Sequence, residues 1–528
     1  MLNKIQNFKF KNFSLSYIFS VCLEFCWLMV IFLLPICFSL NIASPWQIKY
    51  TFFIHLVQAL VFLWLAKIIL TPHGLKRENL YKLLPVFIFI IVLGLATIFS
   101  QWPRMSFWGT YERKMGYLTW LHCFLFFLVL FFNFKSRAQL KRIAWTIFFA
   151  TTIVVVYGLF QLLGLDPILW IERPLITKRI FSLVGQPNFL ASWLLLTLPF
   201  IIWLFFEEKK FIKIFPVSGR LRAKRARVVQ DGGRGKFIVI SLIFISLILS
   251  LICFFFTGSR GGAIGLLAGL LFFFFSLSWL KRKRKNLIFS KFSPSQEGCE
   301  RSERWKPKVS KLGGRGKFIL LILSFIVSSV VFLNIKNPNS RFSFSAIKQA
   351  GEFRTTIWQQ ALSLIKKRPL LGYGPETQFF HFIKLYQPVQ GILESINNYP
   401  DRSHNDFLDM ALTSGIAGLL SYLFMIVAVF YYGFVYLFKT KRSFIKISPV
   451  TEGRSEATIG NPLGVQARGV GGNFDLILLV LSGLFAYLVS LQFSFHEITG
   501  LVYFWLMLVI VLKVNELKNQ RINENENI

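Results

Sequence analysis

Residues 401–438 read DRSHNDFLDMALTSGIAGLLSYLFMIVAVFYYGFVYLF, a charged segment followed directly by an apolar run. The run is long enough to cross a bilayer as a helix, which takes about 20 apolar residues. Ser403 followed by Asp406 resembles a capping box, which predicts that Ser403 is the N-cap and His404 the first helical residue. Because hydrocarbon rejects charge, the charged segment is expected to lie in water, either as a functional site or as a solvated flank.

The same apolar character recurs along the whole chain of 528 residues, of which 54% are hydrophobic. We therefore expect an all-α polytopic membrane protein with about twelve transmembrane helices. The predicted spans lie near residues 17–40, 51–70, 83–100, 117–134, 143–164, 187–206, 237–257, 261–280, 318–335, 406–438, 473–493 and 500–513. The one large loop is 336–405, between spans 9 and 10. The first span is expected to stay as an anchor, since no small-residue cleavage site follows it.

The formal net charge of +36 is spread unevenly. Most of the 60 Lys and Arg residues fall in segments on one side of the predicted spans. The positive-inside rule makes that side cytoplasmic, which puts both termini in the cytoplasm and loop 336–405 outside. The basic excess thus indicates topology and some attraction to anionic lipid rather than nucleic-acid binding.

Three of the predicted cytoplasmic segments, 213–237, 291–318 and 446–474, resemble one another in their opening Pro and closing Gly-Gly. Their polar, glycine-rich composition predicts disorder. Either they form a docking or lipid-binding surface, or they are insertions that loops tolerate. They divide the chain into 1–236 with the first six helices, a core at 237–438, an insert at 439–472, and 473–528 with the last two helices.

Loop 336–405 is long enough to be functional in its own right. Residues Ser345–Ile365 carry apolar side chains at helical spacing, which predicts an amphipathic helix that includes Arg354. The segment LLGYGPETQFF (370–380) follows, and its glycines predict a tight turn.

Four arginines are predicted on the outer face: Arg113, Arg179, Arg260 and Arg354. Arg260 lies in TGSRGG (257–262), a turn too short to place its side chain anywhere but the membrane edge. Arginine's planar fork suits a diphosphate, and the helix N-termini near Pro187 and Gly261 add partial positive charge. Arg113 and Arg179 fit equally well as residues at headgroup level.

The helix N-terminus that precedes the run at 406–438 is expected to lower the pKa of His404, which keeps the imidazole neutral and able to act as a base. His381 and His496 are interpreted as ordinary interface residues. In the membrane, Glu24 and Lys67 are expected to form a structural pair. The six cysteines lack metal-ligand spacing, and no metal or other cofactor is expected.

Two segments carry a family resemblance. RTTIWQQALSLIKKRPLLGYGPETQFF (354–380) followed by RSHNDFLDMALTSGIAGLLSYL (402–423) is similar to the core of the O-antigen ligase and polymerase superfamily. TGSRGGAIGLLAGLL, RIFSLVGQPNFLASWLL and SFWGTYERKMGYLTWL resemble the same pattern and occur in the same order along the chain.

The resemblance implies a GT-C-like glycosyltransferase of the bacterial cytoplasmic membrane, with its active site on the outer face. It would move a glycan from a polyprenyl diphosphate to an acceptor hydroxyl without a metal ion. Arg260 and Arg354 would hold the diphosphate, and His404 would be the general base. The substrate-binding residues would be Arg113, Arg179, Asn188, Asn405 and Asp406.

The acceptor is left open by the sequence: a ligase, a polysaccharide polymerase and a protein O-oligosaccharyltransferase all share these motifs. The expected partners are therefore the lipid-linked donor, a hydroxyl-bearing glycan, lipid or protein, and membrane lipid, without nucleic acid. A flippase or transporter of lipid-linked glycan is a different class. It is disfavoured because the middle of the predicted spans is nearly bare of charge.

Overall fold

A computed structural model describes residues 15–38, 45–71, 80–168, 179–212, 224–291, 343–393, 399–442 and 471–526. The regular structure of this part of the chain is helical. The α-helices are α1 Leu15–Leu33, α2 Pro45–Leu70, α3 Leu84–Ile98, α4 Pro103–Trp108, α5 Tyr117–Asn133, α6 Arg137–Leu162, α7 Pro187–Ile212, α8 Lys224–Phe256, α9 Arg260–Lys291, α10 Phe344–Lys367, α11 Gln378–Phe382, α12 Pro388–Leu393, α13 Asp406–Arg442, α14 Gly471–Leu491 and α15 Ile498–Glu526.

Among the described residues, eight helices are long and apolar enough to cross a membrane, and these are α1, α2, α3, α6, α7, α8, α9 and α13. Shorter apolar helices, α5 and the apolar parts of α14 and α15, match three more of the predicted spans. The remaining predicted span, near 318–335, lies outside the described residues. The chain is a multi-pass membrane protein.

Helices α9 and α14 pack closely because small residues recur at every fourth position of α9. A Cβ atom on Gly265 would lie 2.4 Å from the Ala486 carbonyl oxygen, and one on Gly269 would lie 2.7 Å from the Ala486 Cβ. Such spacing lets two helix backbones approach within a membrane. The contact places Arg260, the first residue of α9, beside the end of α14.

Helix α13 is broken at Gly415, where φ is 69° and ψ is −174°. The backbone groups released by the break bond to the preceding loop: the Ile416 N–H donates to the Pro369 carbonyl at 2.7 Å, and the Gly374 N–H donates to the Thr413 carbonyl at 2.7 Å. The tight turn predicted at 370–380 is therefore present, and it fills the break in the helix.

The amphipathic helix predicted at 345–365 is confirmed as α10. Its N-cap is Ser343, whose hydroxyl accepts from the Ala346 N–H at 3.3 Å. The buried face of α10 forms a small core with the loop and the start of α13, made of Phe353, Ile357, Ala361, Leu364, Ile365, Tyr373, Phe382, Ala411 and Leu412. This core fixes α10 against the beginning of α13.

The expected pair of Glu24 and Lys67 is wrong. Glu24 accepts from the Arg142 Nε at 2.5 Å, and Lys67 donates to Asn133 Oδ1 at 2.9 Å. Although α1 packs against α2, Glu24 lies on the side of α1 that contacts α6, and Lys67 lies on the side of α2 that contacts α5.

Disorder was also the wrong prediction for the part of segment 213–237 that the structure describes, because α8 already begins at Lys224. Its first residues, KRAR, are good helix formers that extend the membrane helix. Residues 292–318 and 446–470 of the other two segments lie outside the described residues.

Candidate active site

The turn between α14 and α15 gathers several helix ends. The Asn405 side-chain amide donates to the Gln492 carbonyl at 3.3 Å, and Arg354 Nη2 donates to the Phe493 carbonyl at 3.2 Å. A Cβ on Gly261 would lie 2.9 Å from the Phe493 Cβ. Residues 492–495 thus bring the starts of α9 and α13 and the middle of α10 to one place.

A pocket of about 370 Å³, at which Arg260 and Arg354 are partly exposed, lies at this junction, and we call it the arginine pocket. Its two charged lining residues in the described part of the chain are Arg260 and Arg354. The other lining residues are Asn188, Ser259, Gly261, Ala350, Ser490, Phe493 and Ser494. Arg260 Nη1 donates to the Ala346 carbonyl at 2.8 Å, which ties α9 to the start of α10. The two arginines that the sequence assigned to a diphosphate therefore share one pocket.

Arg179 lies at the edge of the arginine pocket. Its Nε donates to the Thr257 carbonyl at 2.7 Å, and its Nη2 donates to Asn188 Oδ1 at 3.0 Å. Asn188 lines the pocket, so Arg179 orients a lining residue from behind.

His404 does not begin α13, and the predicted cap at Ser403 is wrong. The helix begins at Asp406, and Asn405 is its N-cap, since Asn405 Oδ1 accepts from the Leu408 N–H at 3.0 Å. The Ser403 hydroxyl instead accepts from the Asn405 N–H at 3.3 Å, inside the preceding turn. His404 stands outside the helix with φ of 54°, in the left-handed region.

The partly buried ring of His404 lies beside Phe495, with 5.4 Å between ring centroids. Two cations share that aromatic ring: the Cζ of Arg113 is 4.6 Å and that of Arg402 is 4.9 Å from the Phe495 centroid. Burial is the main cause that lowers the pKa of His404, and Asp401 opposes it while Arg354 and the two cations over Phe495 add to it, so that the pKa is about 4. The imidazole is therefore neutral at pH 7, as expected.

Arg113 is held next to His404 rather than in the arginine pocket. Its guanidinium forms an ion pair with Asp401 at 2.5 Å, and both side chains are partly exposed. It also lies over Trp46, with 5.7 Å from Cζ to the ring centroid.

A second group of polar and charged side chains near His404 is buried, and we call it the buried polar network. Its members are Glu376, Arg402, Asp406, Asp409 and His496. Arg402 forms an ion pair with Glu376, which also accepts from the Thr110 hydroxyl at 2.7 Å. Burial lowers the pKa of Arg402 to about 10, although Asp409 and Asp406 oppose that shift. The network lines a space of about 430 Å³, and its lining side chains are buried.

His496 is not the interface residue that the sequence suggested, because it is buried at the centre of this network. Its Nε2 is 3.0 Å from the Tyr422 hydroxyl and 3.5 Å from Asp406 Oδ1, and its Nδ1 is 2.9 Å from the Tyr487 hydroxyl. Burial lowers the pKa of His496 to about 3, so the ring is neutral. It therefore connects α13 and α14 by hydrogen bonds.

Residues 245–423 match the family model described as O-Antigen ligase. The chain contains an O-antigen ligase domain. The matched range includes Arg260, Arg354 and His404, and it lies inside the core predicted at 237–438. The curated proteins include no match to the chain.

Several residues near His404 were assigned no role from the sequence. Arg402 and Phe495 lie beside His404, Glu376 forms an ion pair with Arg402, and Trp358 donates from its indole Nε1 to the Ser403 carbonyl at 3.0 Å. A usable signal was the density of aromatic and charged residues in QFSFHE (492–497), between two apolar helices. Across the residues that the structure describes, no three His, Cys, Asp or Glu side chains are arranged to hold a metal ion.

Proposed function

We propose that this O-antigen ligase domain transfers a glycan from a polyprenyl-diphosphate carrier to an acceptor hydroxyl, as a GT-C-like enzyme of a bacterial cytoplasmic membrane. The observation that carries the proposal is a pocket lined by two arginines near a histidine that is neutral at pH 7. Both groups belong to the range that matches the O-antigen ligase family.

The donor diphosphate would bind in the arginine pocket. Arg260 and Arg354 each present a planar fork that can make paired hydrogen bonds to phosphate oxygens. Each is already oriented by one bond to a main-chain carbonyl, so little side-chain entropy is lost on binding. The N-terminus of α9, at Arg260 itself, adds partial positive charge.

The transfer step would need one base and one stabilised leaving group. The acceptor oxygen forms a bond to the anomeric carbon while the bond from that carbon to the diphosphate oxygen breaks. The acceptor proton passes to His404, and the carrier diphosphate leaves with its charge balanced by Arg260 and Arg354. Because arginines supply this charge, we expect activity to survive EDTA, and an absolute need for Mg²⁺ or Mn²⁺ would contradict the mechanism.

The other residues would support these groups. Arg179 hydrogen-bonds to Asn188 at one edge of the pocket. Arg113 forms an ion pair with Asp401 and would thereby limit the effect of that carboxylate on His404. Asn405 caps α13 and so fixes the turn that carries His404. Asp406 is buried and contacts His496, so its role would be to hold the start of α13, and with it the turn that carries His404, in place.

The orientation follows from charge. The lysine- and arginine-rich segments would be cytoplasmic, which puts both termini inside and the arginine pocket on the outer face. Lipid-linked glycans would then meet acceptors outside the cell membrane.

The test is a transfer assay with purified protein in lipid and a polyprenyl-diphosphate glycan as donor. Transfer only after a separate hydroxyl-bearing glycan or lipid is added supports the ligase activity. Growth of the glycan on its own carrier would identify a polymerase, and transfer to a peptide hydroxyl a protein oligosaccharyltransferase. Movement of the donor between leaflets without any change in its covalent structure would contradict transfer and identify a flippase.

A further inference from the structure

Ser403, the residue immediately before His404, is held from two sides. Its carbonyl accepts from the Trp358 indole Nε1 at 3.0 Å, and its N–H donates to Asp409 Oδ1 at 2.9 Å. Ser403 has no exposed surface. Both bonds therefore act in a place that water does not reach, where an unmade bond is costly.

The bonds matter because of the backbone of the next residue. His404 has φ of 54°, a conformation that side chains other than glycine disfavour. Such a residue keeps its conformation only when its neighbours impose it. The bond to the Ser403 carbonyl fixes the peptide plane that joins Ser403 to His404, and the bond from the Ser403 N–H fixes the peptide plane before it.

Trp358 also belongs to the helix that carries Arg354. The two residues are four apart in α10, so they lie one above the other on the same helix face. Arg354 bonds to the Phe493 carbonyl, while Trp358 bonds to the Ser403 carbonyl. One helix face thus contacts both the arginine pocket and the turn that carries the base.

We propose that Trp358 is a positioning residue: through Ser403, its indole N–H sets the place of His404 relative to Arg354. This inference rests on the proposed function, because it assigns the bond a role in bringing base and donor together. Donor binding needs the guanidinium groups and does not need the indole N–H. The approach of His404 to the acceptor hydroxyl does need it, and small misplacements of a catalytic group are costly.

The test compares wild type with Trp358→Phe, which keeps an aromatic ring but removes the N–H donor. We expect kcat to fall about tenfold, while the Kd for polyprenyl diphosphate changes less than about twofold. The matched control is Trp505→Phe, since the Trp505 indole N–H is buried in α15 and has no hydrogen-bond partner among the described residues. Its kcat should equal that of wild type.

A second pair of variants tests the other bond in case Trp358→Phe does not fold. Asp409→Asn keeps an oxygen acceptor for the Ser403 N–H, whereas Asp409→Leu has a similar shape and no acceptor. We expect the Leu variant to lose kcat about tenfold and the Asn variant to stay within about threefold of wild type.

An unchanged kcat in Trp358→Phe would overturn the inference, as would an equal loss of donor affinity, which would make Trp358 a support for α10 alone. Equal kcat values for the two Asp409 variants would overturn it as well. Failure of the proposed function looks different, because the wild-type protein itself would then transfer no glycan.

Discussion

The arginine pocket and the buried polar network both contain arginines, but these arginines have different surroundings and different hydrogen-bond partners. In the pocket, Arg260 and Arg354 are partly exposed, and each donates to a main-chain carbonyl, which carries no net charge. In the network, Arg402 is buried and forms an ion pair with the Glu376 carboxylate. We propose that the first arrangement presents two guanidinium groups to an anion in the pocket. The second matches charge with charge and holds structure together.

The physical cost of each arrangement differs. A buried ion pair loses hydration at both partners and stabilises a protein only as an intact pair. Partly exposed arginines keep part of their hydration, so holding their charge at the pocket costs less. We therefore expect the partly exposed arginines, Arg260 and Arg354, to bind substrate, and the buried Arg402 to stabilise the fold.

The largest expected effect is that of replacing His404, the proposed general base, which lies between the arginine pocket and the buried polar network. His404→Ala should lower the transfer rate by about 10²–10⁴-fold, which is the usual contribution of a general base. The rate of glycan transfer in lipid measures this directly. His55→Ala is the matched control, because His55 is exposed on α2. Within the described part of the chain, the hydrogen bond of its ring is to the Thr51 carbonyl of the same helix.

Both histidine variants should be recovered as folded protein in equal amounts. If His404→Ala were lost to aggregation while His55→Ala was not, His404 would be part of the structural region instead.

The next effect concerns stability. Glu376→Gln should lower the stability of the fold by about 3 kcal/mol, because it leaves the buried Arg402 without its carboxylate. Thermal unfolding in detergent measures the change. The double variant Glu376→Gln with Arg402→Met should recover part of the loss, since it removes the unmatched charge. A stable Glu376→Gln protein that no longer binds donor would contradict the structural role.

The smallest expected effect concerns how kcat/KM for glycan transfer depends on pH. His404 acts in its neutral form, and its pKa is lowered to about 4, so protonation removes the base only as pH falls toward that value. We expect kcat/KM to stay level from neutral pH down to about 5 and to decline below it. A bound diphosphate raises the histidine pKa, so the acid limb of kcat should lie at higher pH. A midpoint for kcat/KM at about 6.5 would contradict this account.

The sequence predicted those features that depend on local pattern. Hydropathy located the eight membrane-length helices of the described residues, helical spacing located α10, and the short turn at 257–262 placed Arg260 beside a helix start. Each of these depends on residues close together in the chain. The sequence also correctly predicted that the His404 ring would be neutral, although burial rather than a position in the helix is the main cause.

The sequence could not predict the partners that folding brings from far away. Glu376 meets Thr110 across 266 residues, and Asn405 meets Gln492 across 87. Capping is a local rule, yet it failed at Ser403, because Asp409 and Trp358 compete for the same backbone groups. Tertiary hydrogen bonds of this kind override local preference.

The central claim is that the donor diphosphate binds in the arginine pocket and not in the network. It is tested most directly by the Kd of polyprenyl diphosphate for wild type, Arg354→Ala and the double variant Glu376→Gln with Arg402→Met. We predict that Arg354→Ala weakens binding at least about tenfold, since it removes charge-assisted hydrogen bonds, while the folded double variant binds as wild type does. Unchanged affinity in Arg354→Ala, or a tenfold loss in the double variant, would contradict the account.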